Sequence, residues 1–162
     1  MVKVLLVLML MIGASEAVAA EIAGPAKAVD STVIEIDGHR IMLFGIDSVI
    51  RKQTCSIGGK LWQCWPAAVR DLQTLIDQGP AICDTIGQPD VYGRILARCT
   101  INGQSLNEQL VRRGYAVARP SESTDYVAAE AAAKESKLGL WQGQFLEPSK
   151  FRKSVGIFVD RP

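Results

Sequence analysis

The chain has 162 residues, enough for one domain with a real core. Its formal net charge of +1 excludes a global basic field that would gather nucleic acid, so any contact with a polyanion must be local. The four cysteines include no C-x-x-C pair, and in an exported chain this pattern favours two disulfides over a zinc site.

Residues 1–19 read as a secretory signal peptide. Lys3 supplies a basic start, residues 4–12 are unbroken apolar, and Ala17-Val18-Ala19 is a small-x-small cleavage site before Ala20. The apolar run falls well short of the ~20 residues that a bilayer span needs. No other segment has the length or composition to cross. Cleavage removes Lys3 and Glu16 together and leaves the net charge at +1. The expected mature protein is secreted or periplasmic, with one domain over residues 20–153, a tail over 154–162 in which no signal is legible, and no membrane association.

After Gly24-Pro25, residues 26–29 and 32–36 read as strands separated by Asp30-Ser31. Asp37-Gly38 is a two-residue hairpin turn into a third strand over 40–46. Along that strand Arg40, Met42 and Phe44 share one face, and Ile41, Leu43 and Gly45 share the other. Residues 48–64 form a polar loop that a Cys55–Cys64 bridge would close. The first helix follows, with Pro66 in its first turn, Val69, Leu72, Leu75 and Ile76 at helical spacing, and Gly79-Pro80 as its stop. Residues 81–86 and 95–101 are the next strands, and antiparallel pairing would bring Cys83 to Cys99.

Asn102-Gly103 turns the chain into Ser105-Leu106-Asn107-Glu108, a capping box that opens a second helix ended by Gly114. A short extended piece spans 115–118. An alanine-rich third helix over 125–137 ends at Gly139, and Leu140-Trp141 should fold back on the core. Three strands, a helix, two strands and two helices predict an α+β domain with a small closed sheet, of the five-stranded oligonucleotide/oligosaccharide-binding (OB) barrel type.

Several short motifs occur in a telling order: Gly45-Ile46-Asp47, Gln53-Thr54-Cys55, Trp62-Gln63-Cys64 and Tyr92-Gly93-Arg94, then Leu106-Asn107 with Leu110-Val111-Arg112-Arg113-Gly114-Tyr115-Ala116, and Gly139-Leu140-Trp141-Gln142-Gly143. Over residues 26–152 the chain resembles the staphylococcal nuclease-like (thermonuclease) family, in its secreted bacterial branch with paired cysteines. That resemblance implies a five-stranded barrel with three helices. In active members it also implies calcium-dependent cleavage of DNA and RNA. Such chemistry uses carboxylates to hold the ion, a glutamate to handle the attacking water, and two arginines to neutralise charge building on the phosphate.

Carried over by position, the set is incomplete. Asp47 matches the metal-binding aspartate and Arg94 the arginine of Tyr-Gly-Arg, so a shared site built on Asp47 and Arg94 is expected. Where active members read Asp-Gly-Asp-Thr, this chain has the shorter Asp30-Ser31-Thr32. Either Ser31 replaces the second carboxylate, or Asp30 approximates it through a shifted loop. Met42 stands at the position of the first catalytic arginine and Ile50 at that of the catalytic glutamate. Arg40, two residues from Met42 on the same face, would have to reach in from about 7 Å further along the strand.

Asp47 and Arg94 also admit a purely structural role, as a loop cap and an ion pair with each other. Trp62, Trp65, Trp141, Tyr92 and Tyr115 read as packing residues, His39 as exposed, and Arg112-Arg113 as a helix end suited to the dipole. The leading expectation is a nuclease-fold binding or scaffold module with weak or no hydrolysis and a weakened calcium site. Its ligand would be single-stranded nucleic acid or an oligosaccharide, and the protein is expected to be a monomer. The alternatives are a working calcium-dependent endonuclease built from Asp30, Asp47, Arg94 and Arg40, or an accessory protein in exopolysaccharide production.

Overall fold

The structure, a computed structural model, describes residues 20–157. The signal-peptide segment 1–19 and residues 158–162 of the tail lie outside the described residues. Within that span the strands are β1 (Glu21–Gly24), β2 (Lys27–Asp30), β3 (Val33–Ile36), β4 (His39–Leu43), β5 (Ile46–Asp47), β6 (Cys55–Ile57), β7 (Lys60–Trp62), β8 (Ala81–Ile86), β9 (Ile95–Ile101), β10 (Gln104–Ser105) and β11 (Val117–Ala118). Four helices accompany them: α1 (Cys64–Ile76), α2 (Leu106–Arg112), α3 (Val127–Glu135) and α4 (Pro148–Ser154).

The domain is α+β, as expected. Its main sheet runs β1-β8-β9-β4-β3-β2, with β10 added to β9. All the pairs are antiparallel except β4–β9, which is parallel. The hydrogen-bonded path leaves β1 and β2 as ends among the described residues. The hydrogen-bonded sheet is thus not the closed five-stranded one expected, among the described residues. Beyond the expected outline, β1 extends the sheet beside β8, β6 and β7 form a hairpin within the expected polar loop, and α4 follows the three expected helices.

Local chemistry explains the central elements. Asp37 and Gly38 both have positive φ, +52° and +79°, the geometry that a tight β3–β4 hairpin requires. Alternation on β4 sends Ile41 and Leu43 into the main core with Ile34, Leu72 and Leu110. Met42 faces a smaller cluster with Val33 and Leu96 on the other side of the sheet. Ser105 caps α2 by accepting from the Glu108 amide at 3.2 Å. The expected return contact from Glu108 is replaced, because its carboxylate pairs with Arg112 one turn on.

Both disulfides form as anticipated, Cys55–Cys64 and Cys83–Cys99, the second between directly opposed residues of β8 and β9. Buried Asn107 ties α2 to the parallel pair. Its Oδ1 accepts from the Cys99 amide at 3.0 Å, and its Nδ2 donates to the Phe44 carbonyl at 2.9 Å. These bonds fix the end of β4, where the site begins. No helix among the described residues is long and apolar enough to cross a membrane.

Candidate functional site

Beyond β4 the chain turns at Gly45, whose φ of +76° suits glycine. A Cβ there would stand 2.7 Å from the Tyr126 ring, so a close approach also requires the glycine. The Gly45 amide donates to Glu122 Oε2 at 2.9 Å, and its carbonyl accepts from the Arg119 amide at 2.9 Å. Asp47 then lies on β5 opposite Val117 of β11, with only 4% of its side chain exposed.

Asp47 and Arg94 line one cavity of about 120 Å³, together with Asp30 and Ser31. Met42 and Ile50 line it too, so the two apolar replacements do face the place where charge would be needed. The expected ion pair between Asp47 and Arg94 is not formed. Arg94 turns instead to Asp90, with Nε donating to Oδ2 at 2.7 Å and Nη2 in ionic contact at 2.6 Å. Asp90 Oδ1 also accepts from the Tyr92 and Arg94 amides, each at 2.9 Å, so it caps its own loop. Burial alone would raise the Asp90 carboxyl, but the Arg94 guanidinium and these amides together hold it below the usual aspartate value.

The partner of Asp47 is Arg152, which comes from α4. Its Nη1 donates to Oδ1 at 2.9 Å and its Nη2 reaches Oδ2, a two-pronged pair that engages both carboxylate oxygens. Asp47 Oδ1 accepts from the Ser48 amide as well. Arg119 is a third arginine at the cavity, and its Nε lies 3.0 Å from Glu122 Oε1. Neither Arg119 nor Arg152 stood out in the sequence. The only local sign was a Pro148 start and a basic end to a seven-residue helix, and neither points at Asp47.

The two alternatives for the second carboxylate are both tied down. Ser31 Oγ donates to the Val49 carbonyl at 2.7 Å, holding the loop after Asp47. Asp30 Oδ1 accepts from the Ser31 amide and from Trp65 Nε1, each at 2.7 Å. Arg40 does not reach the Asp47 cavity; it lines an adjoining cleft.

The remaining sequence expectations divide. Trp62, Trp65 and Tyr115 pack against the core around Val49 and Leu140. Trp141 packs edge-on against Phe145. His39 is exposed. Tyr92, by contrast, is 67% exposed and is not a packing residue, since its loop is held by Asp90 rather than by the ring. The arginines ending α2 do more than face the dipole. Arg113 donates from Nε to both oxygens of Asp71 on α1, each at 2.9 Å, and this hydrogen bonding raises its pKa.

A family model described as staphylococcal nuclease homologue matches residues 40–143. The match covers well over half of the chain, and the protein belongs to that family. Arg152 and Asp30 both lie outside the matched segment. No curated protein matches the chain.

Calcium is the metal that the family implies, and the residues present do not fit it. A hard dication takes six to eight oxygen ligands, usually including several carboxylates. Here both Asp47 oxygens are engaged by a guanidinium and Asp30 serves Trp65. Among the described residues no three His, Cys, Asp or Glu side chains are grouped to hold a metal.

Proposed function

We propose that the protein is a secreted or periplasmic, monomeric binding module on the nuclease fold, taking phosphate-bearing ligands without calcium and with little or no hydrolysis. One observation carries this reading: the two-pronged Arg152–Asp47 pair puts a fixed cation where a metal would need the carboxylate. Ile50 at the cavity wall adds to it, because no side chain there can take a proton from water. Loss of a positioned base alone lowers rate by about 10²–10⁴-fold. Arg119 and Arg152 bring guanidinium groups to the cavity, but supply of positive charge does not replace the missing base. The two disulfides and the leader-like segment 1–19 support export.

The test uses purified mature protein, single-stranded DNA, and either millimolar calcium or EDTA. Retention of the oligonucleotide should be equal in both, should weaken as salt rises, and should not be accompanied by cleavage. Calcium-dependent cleavage abolished by Arg94→Ala would overturn the proposal in favour of a working nuclease. Retention of a neutral oligosaccharide in place of DNA would overturn the ligand class.

A further inference from the structure

Beside the Asp47 cavity lies a second cleft of about 260 Å³, which shares Asp30, Val33 and Arg94 with it and adds Arg40 and Arg51. The two differ in how their arginines are engaged. Around the first, each guanidinium already has a carboxylate: Arg94 with Asp90, Arg119 with Glu122, and Arg152 with Asp47. Arg40 and Arg51 form no ion pair among the described residues, and both are exposed.

The cleft is also organised. Asp30 Oδ1 accepts from Trp65 Nε1, which fixes the indole, and the Arg51 guanidinium lies 4.7 Å from the centre of that ring. Arg40 projects from β4, opposite Glu35 in the ladder and next to the Asp37-Gly38 turn. The single carboxylate lining the cleft, Asp30, already accepts two N–H groups. In a chain of net charge +1, this is a local excess of uncommitted guanidinium at the edge of the candidate site.

We infer that the Arg40–Arg51 cleft is a second anion subsite, which takes a backbone phosphate of single-stranded nucleic acid running on from the Asp47 cavity. Guanidinium forks match phosphate oxygens in pairs, and shared Arg94 makes the two clefts continuous. Two further pockets border Val117 and Pro120, and the cations lining them, Arg119 and Lys134, are already paired with Glu122 and Glu130. The guanidinium groups without a carboxylate partner therefore lie on the Arg40–Arg51 side, which sets the direction of a polyanion leaving the Asp47 cavity. Trp65, Tyr92 and the arginines form the mix of ring faces and cations that single strands use.

The inference rests on the function proposed above, and its test separates the two. Binding of a labelled twelve-residue oligothymidylate and of inorganic phosphate is measured for the parent protein and for Arg40→Ala/Arg51→Ala across 20–200 mM salt. A charge-matched control, Lys60→Ala/Arg112→Ala, removes two cations outside both clefts. The cleft variant should bind the oligonucleotide about tenfold more weakly, and the slope of log K against log salt should flatten by about 0.7, the value for one phosphate contact on a single strand. The control should follow the parent.

Parent-like affinity and slope in the cleft variant would overturn the second subsite and leave the proposed function standing. Equal losses in the control variant would overturn it too, as general charge attraction. Failure of the parent to bind oligonucleotide at low salt would sink both. Binding of a sulfated polysaccharide with no binding of oligonucleotide would overturn the nucleic-acid assignment. Thermal melting of each variant checks that the fold is kept, as expected for exposed side chains.

Discussion

At the scale of single residues, the fate of Asp47 decides the chemistry. Its side chain is 4% exposed and that of Arg152 13%, so breaking the pair leaves a charge in a poorly solvated place. Arg152→Ala should therefore cost about 3 kcal/mol or more. Removing both partners should cost less than the sum of the two single losses, since the second removal relieves an unpaired charge. Urea unfolding of the two single variants and the double variant measures that coupling. A site with its carboxylate taken should also give calcium nothing to bind, so melting in millimolar calcium and in EDTA should agree within about 1 °C. Asp90 makes a second prediction, this time of pH dependence. Its pKa is lowered in the folded protein, so its stabilising contribution is complete above the ordinary value near 3.9 and is lost as pH falls through the lowered one. Asp90→Asn should thus cost about 1–3 kcal/mol at pH 7, and markedly less at pH 3. A constant difference between pH 7 and pH 3 would show that the ionised carboxylate of Asp90 adds no stability beyond what its neutral form gives.

Among the elements, those set by local chemistry were legible and those set by distant contacts were not. The Asp37-Gly38 hairpin and the Ser105 cap follow from side-chain types within four residues of each other. α4 is seven residues long, and what gives it meaning is Arg152 meeting a carboxylate 105 positions earlier. Likewise the four residues of β1 become a strand only through pairing with β8. Met42 and Ile50 could be placed at the cavity through the family resemblance, because both positions are carried over by short offsets from Asp47. The alternative that pairs Arg94 with Asp47 fails because two aspartates compete for it, and the one four residues away also caps the loop. One junction invites a direct test. Gly114 ends α2 with φ of +78°, and a Cβ there would clash with the Leu138 carbonyl oxygen. Its own carbonyl accepts from the Leu140 amide at 2.8 Å, docking the 3-10 turn Gly139–Gln142 on the helix end. Gly114→Ala combines left-handed strain with a backbone clash, and should cost about 3 kcal/mol or more, lowering Tm by roughly 10 °C. A shift under about 3 °C would mean the two segments part easily.

For the whole molecule, stability should depend on the redox state of its surroundings. The two bridges close loops with sequence separations of 9 and 16, for which the chain-entropy model gives about 2.6 and 3.1 kcal/mol. They fasten different parts. Cys83–Cys99 lies in the main core, between β8 and β9, while Cys55–Cys64 ties the β6–β7 hairpin to the start of α1 in the smaller cluster around Val49 and Leu140. Together they amount to about 6 kcal/mol, a large share of the 5–15 kcal/mol typical of a domain. Reduction should therefore bring the protein near its unfolding point at 37 °C, whereas serine replacement of either pair alone should leave it folded with a lower urea midpoint. Because Val49 and Ile50 follow Asp47 on the loop leading to Cys55, loss of the Cys55–Cys64 bridge should also loosen the cavity wall. The Cys55→Ser/Cys64→Ser variant is expected to lose oligonucleotide affinity at temperatures where its far-UV spectrum is still native. The Cys83→Ser/Cys99→Ser variant should lose affinity only as the whole sheet melts, and coincident loss of binding and structure in both variants would show that the loop needs no bridge to hold the site.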